Sequence, residues 1–176
     1  MDNIYVEGDP FILFKKAEGD VASINALIKN NDVPDDYIYE SICFHATQSV
    51  EKFLKGFIAN NNGTVKKSHN LEYIHNIANS IDNSFSSIKN ECIKLNQYTS
   101  DVRYNDNHRI EKHEIKEILK SLNVIYHFDL IVKMREIYKK KDDYRILPEF
   151  DFLKKTNLVQ NQEQHLEQTQ SQGVKR

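Results

Sequence analysis

Arg103 and His108, with four residues between them, are the two side chains of this sequence best equipped for chemistry on a phosphodiester. A guanidinium is permanently charged and can grip two phosphate oxygens at once, and an imidazole can take or give a proton near neutral pH. Together they are the minimum equipment for metal-free RNA cleavage. The residues between them, Tyr104, Asn105, Asp106 and Asn107, are polar or amphipathic, so the stretch reads as a short polar corner rather than a core element. Its weight depends on the scaffold on either side.

That scaffold is strongly helical. Asp9-Pro10 has the form of an N-cap followed by proline at the first helical position, and Phe14, Ala17, Val21, Ile24 and Ile28 recur at spacings of three and four. After a loop around Pro34, Tyr37 to Ala59 carries one wide apolar face with Ile42, Cys43, Ala46, Val50, Phe53, Leu54 and Phe57, which places this second helix at the centre of the core. The run Asn60 to Thr64 stops it. Ser68 or Asn70 can cap a short third helix with Leu71, Ile74, Ala78 and Ile81. Phe85, Ile88, Cys92 and Leu95 mark a fourth helix up to about Ser100. Beyond the corner, Ile115, Ile118, Leu122, Ile125 and Val132 predict the longest helix, reaching about Lys139. The expectation is all-α, an antiparallel up-and-down bundle of four to five helices over residues 1–141. Residues 142–156, with Ile146, Leu147, Phe150 and Phe152, form an extension expected to pack on the bundle or on a partner. The Gln-, Asn- and Ser-rich stretch 157–176 is expected to be a disordered tail.

Composition sets the class. With 176 residues, 39% hydrophobic and 28% charged, five Gly, three Pro and no Trp, the chain can bury a core without disulfides and favours helices over a turn-rich β architecture. The formal net charge of -2 argues against coating nucleic acid by bulk charge but allows a local basic site. Cys43 and Cys92 fall on apolar stripes, where a thiol acts as a small hydrophobe, and a reducing cytoplasm is the expected location. No leader-like opening and no apolar run of membrane-spanning length is evident, so no membrane association is expected.

A polar stripe of Ser41, His45, Gln48, Lys52 and Lys55 lies opposite the apolar face of the second helix. It reads either as a solvated face or as the border of a groove facing Arg103 and His108. His69, just before the third helix, suits a structural role, capping amides or holding its loop to the second helix. A single Glu72-x-x-His75 lacks the second copy that a di-iron bundle needs, and His108, Glu111, His113 and Glu117 lack zinc spacing, so no metal and no cofactor are expected. There is no Gly-rich phosphate loop and no serine nucleophile motif.

Cys43-Phe44-His45-Ala46-Thr47-Gln48-Ser49-Val50-Glu51-Lys52-Phe53-Leu54-Lys55-Gly56, then Ser68-His69-Asn70-Leu71, then Arg103-Tyr104, closely resemble the three signature stretches of the HEPN superfamily, in the same order. The resemblance spans about residues 9 to 140. It implies a helical bundle that forms a homodimer, binds RNA or a nucleotide, and is often encoded beside a minimal nucleotidyltransferase acting as antitoxin. It further implies that Arg103 and His108 are the catalytic pair of an endoribonuclease of the toxin or defence type. The two would meet their counterparts in a cleft at the dimer interface, with Tyr104, Asn105, His45, Gln48 and Lys52 as substrate-binding residues. Active members usually place a small polar residue after the arginine. Here Tyr104 stands there, as in relatives with Arg-Tyr-Pro, and a non-catalytic nucleotide- or RNA-binding partner of a nucleotidyltransferase is the second reading.

Overall fold

A computed structural model of the chain describes residues 8–29, 35–99 and 110–141. Among these residues the structure is all-helical, with six α-helices and one 3-10 helix packed as a bundle. In chain order they are α1 (Pro10–Lys29), α2 (Asp35–Asn60), α3 (Leu71–Ile81), a 3-10 turn (Asn83–Ile88), α4 (Lys89–Asn96), α5 (Lys112–Tyr126) and α6 (Asp129–Lys139).

The caps form where the residue types demand them. Asp9 accepts the Phe11 amide at 2.8 Å, and Pro10 fills the first helical position, where the missing N–H costs nothing. Asn70 accepts the Tyr73 amide at 2.8 Å and starts α3. The end of α2 is a Schellman motif: Gly63 N–H reaches Ile58 O at 2.9 Å, Asn62 N–H reaches Ala59 O at 3.1 Å, and Asn62 adopts φ +55. Asn62 supplies the left-handed residue. Gly63 is needed for a different reason, since a Cβ there would lie 2.7 Å from Ile58 Cγ2 and 3.0 Å from Ile58 O.

α2 is the central element, burying Ile42, Ala46, Val50, Phe53, Leu54 and Phe57, and it packs on α1, α3, α4, α5 and α6. α1 lies antiparallel against it, so that Phe14 meets Phe53 at 5.3 Å between ring centroids while Asp20 lies beside His45. Side chains of α1 press on α2 at Gly56, where a Cβ would stand 2.6 Å from the Phe14 ring. Aromatic pairs continue the core from Phe53 to Tyr126 and from Phe57 through Phe85 to Phe128. After α2 the connection Asn61–Asn70 carries the chain back along the helix, which brings His69 to Glu51.

Two expectations are corrected. The long last helix is interrupted: α5 ends at Tyr126, and Phe128, with φ -65 and ψ 130, starts α6. No Gly or Pro marks the break. Its physical basis is burial, because the extended backbone at Phe128 lets that ring pack edge-on against Phe85 at 4.9 Å. The start of the fourth helix, Phe85 to Ile88, is a 3-10 turn capped by Asp82, which accepts the Ser84 amide at 2.9 Å. Tyr126, in the last turn of α5, is buried. Cys43 and Cys92 are free thiols inside the core.

Candidate functional site

Arg103, Tyr104, Asn105 and His108 lie in 100–109, outside the described residues. What the structure does describe is the stem on either side of them. Tyr98, just after α4, donates its hydroxyl to Glu114 Oε1 in the first turn of α5 at 3.0 Å. Glu114 Oε2 also accepts the Glu111 amide at 2.9 Å, which satisfies a donor at the start of α5. Ile110 is buried. One carboxylate thus ties the entrance of the segment to its exit. Burial, reinforced by the bond to Glu114, pushes the Tyr98 phenol up to about 12, so it stays a donor throughout the neutral range.

His45, Gln48 and Lys52 share a face of α2, and each is held by an acid. Asp20 of α1 uses both oxygens: Oδ1 pairs with His45 Nδ1 at 3.0 Å and Oδ2 accepts from Lys52 Nζ at 2.5 Å. One turn along, the buried Glu51 accepts from Lys55 Nζ at 3.0 Å and Gln48 Nε2 at 3.3 Å, and pairs with His69 Nδ1 at 3.0 Å. The stripe is therefore not a freely solvated face. Its long cations are fixed by two carboxylates that are largely removed from water, where charge-assisted bonds are strongest. His69 does the holding expected of it, joining the loop before α3 to α2.

This arrangement fixes what the stripe can do. With Nδ1 on Asp20, the His45 ring has a set orientation, and Nε2 is left as its second hydrogen-bonding atom. His45 and Lys52 keep 25% and 21% of their side-chain surface. They can meet a ligand without first losing rotamer entropy. Asp20 and Glu51 were not singled out from the sequence. Glu51 was legible, standing three residues after Gln48 and four before Lys55 on one helix face. Asp20 was not, because it lies 25 and 32 residues from its two partners.

A second polar cluster is fully internal. Glu18, buried at 3% exposure, pairs with Arg135 Nε and accepts the Tyr126 hydroxyl at 3.0 Å. Arg135 also donates to the Tyr126 oxygen and stacks over its ring at 3.7 Å. It joins α1, α5 and α6 and has no exposed face to offer a ligand.

Among the described residues no group of three or more His, Cys, Asp or Glu side chains is arranged to hold a metal ion, and no helix is long and apolar enough to cross a membrane. No curated protein and no solved structure matches the chain. The HEPN domain family model matches residues 12–144, from the first turn of α1 to beyond the end of α6 and well over half of the 176 residues. By that match the chain belongs to the HEPN domain family.

Proposed function

We propose that this protein is a metal-independent endoribonuclease of the toxin or defence type, working in the cytoplasm as a homodimer. Arg103 and His108 of both copies line the cleft between the subunits. The observation that carries the reading is the Arg-x4-His spacing inside the family-matched range 12–144.

His108 takes the proton of a ribose 2′-hydroxyl, whose oxygen attacks the adjacent phosphorus. The bond from phosphorus to the 5′ oxygen breaks, and that oxygen receives a proton from the imidazolium of the pair. Arg103 neutralises the charge that builds on the equatorial oxygens. The products are a 2′,3′-cyclic phosphate and a 5′-hydroxyl. Tyr104 and Asn105 contact the RNA beside the pair. On α2, His45, held by Asp20, offers a hydrogen bond, Lys52 a charge and Gln48 an amide. The Tyr98–Glu114 tie supports this assignment by joining the ends of the two helices that flank the Arg103–His108 stretch in sequence.

Expression of the wild type inhibits growth and His108→Ala relieves it, while sedimentation at micromolar concentration gives a dimer for both. A monomer would overturn the shared cleft.

One observation favours a second reading. Tyr104 directly follows Arg103, where a small polar residue accompanies activity in the family. Under this reading the protein binds RNA or a nucleotide without cutting it and serves as the helical partner of a minimal nucleotidyltransferase. His108→Ala then leaves partner binding unchanged, and the wild type does not inhibit growth.

A further inference from the structure

About 18 Å along α2 from His45, by helix rise, an open groove of about 290 Å³ lies between the C-terminal ends of α2 and α3 and the flank of α6. Phe57 and Met134, both nearly buried, line it together with Ile81, Leu130 and Ile137. Ile81 and Ile137 are 37% and 57% exposed, which is a high cost for branched apolar side chains on one small patch. Asp82 and Lys133 add opposite charges, close enough that Lys133 helps hold the Asp82 carboxyl below its ordinary value, after the larger effect of Ser84.

We propose that this groove is the docking site of the chain's own segment Tyr144–Leu153. Its volume falls just below the roughly 300–1,000 Å³ that encloses a small molecule, and suits a few apolar side chains better. The chain leaves α6 beside the groove: Tyr138 donates to Asn60, a lining residue, at 3.2 Å, and Lys141 is set over the Phe11 and Tyr138 rings. From Lys141 back to Leu130 is about 16 Å of helix, and a ten-residue segment in extended form reaches about 33 Å. The segment is therefore long enough to span the groove. Its composition fits, with Ile146, Leu147, Phe150 and Phe152 for the apolar lining, Glu149 and Asp151 for Lys133, and Arg145 for Asp82. Arg145 onward also falls outside the family-matched range, so the extension is an addition to the shared bundle. Docking covers a patch the bundle itself leaves open, and it does so whether or not the corner cleaves RNA.

Hydrogen exchange on the full chain tests this. Peptides covering 144–153 exchange at least tenfold more slowly in the wild type than in Ile137→Asp, equally at low and high protein concentration, while protection of α2 stays the same in both. Ile137 is largely exposed, so its replacement leaves the bundle folded. Lys133→Glu also speeds exchange of the segment, and adding Glu149→Lys to it restores protection. Coil-like exchange of 144–153 in the wild type overturns the proposal. So does protection unaffected by Ile137→Asp, and so does protection that rises with protein concentration, which would assign the groove to a second copy.

Discussion

Tyr98 and Glu114 are joined at 3.0 Å across the two ends of the segment that carries Arg103 and His108. The bond spans 16 positions in sequence and is made by a phenol that stays protonated in the neutral range. Tyr98→Phe removes one hydroxyl and leaves a partly buried carboxylate short of a donor, which costs about 1 kcal/mol. If the stem positions the corner, the RNA-cleavage rate falls several-fold, more than that loss of stability alone would cause. Urea denaturation beside initial-rate measurement separates the two effects.

Alkaline pH gives a second test. Burial pushes Cys43 and Cys92 from about 9 up to about 12, and Tyr98 from about 10 up to about 12. In the unfolded chain these groups lose protons at their ordinary values, while the folded chain holds them, so the unfolded state binds fewer protons in that window. Stability is therefore full below about pH 9 and declines as pH rises from about 9 towards 12. Thermal melts between pH 7 and 11 show the fall, and a flat profile would contradict the burial of these groups. At pH 8 neither thiol reacts with an aromatic disulfide reagent until denaturant is added.

Glu18 and Arg135 make a buried pair whose two ends are not equal to remove. Arg135→Met strands a carboxylate inside the bundle and costs about 3–5 kcal/mol. Glu18→Leu combined with Arg135→Met recovers most of that loss, because the pair's mutual attraction only roughly offsets its desolvation. Tyr126→Phe costs about 1–2 kcal/mol through its lost hydrogen bonds. Chemical denaturation of the three variants gives the order.

Gly56→Ala places a methyl 2.6 Å from Phe14 Cδ2, and that ring is fully buried. The helix propensity gained is outweighed by overpacking, with a net loss of about 1–3 kcal/mol. An unchanged urea midpoint would mean that α1 and α2 are further apart than described.

Much of this architecture could be read in the chain, and the exceptions have physical causes. Asp9-Pro10 and Asn70 announce helix starts because capping depends on residues a few positions apart. The apolar spacing of α2 identified the core because helical periodicity is local. The break before α6 was invisible, since Phe128 turns the chain for the sake of Phe85, more than forty positions away, and not through a breaker residue. Nothing local announced the Tyr126 cluster, because its partners Glu18 and Arg135 come from other helices. In the candidate site, the stripe His45, Gln48, Lys52 was legible on one helix. Asp20, which fixes two of its members, belongs to another helix and carries no local signal.

Cleavage of a single-stranded RNA in excess chelator by the purified protein, comparing wild type with His108→Ala and Arg103→Ala, tests the proposed chemistry most directly. Cleavage is expected to persist in chelator, to end in 2′,3′-cyclic phosphates, and to fall about 10²–10⁴-fold without the imidazole and about 10²–10³-fold without the guanidinium. Cleavage at the wild-type rate by His108→Ala, or none by the wild type, would contradict the proposed function.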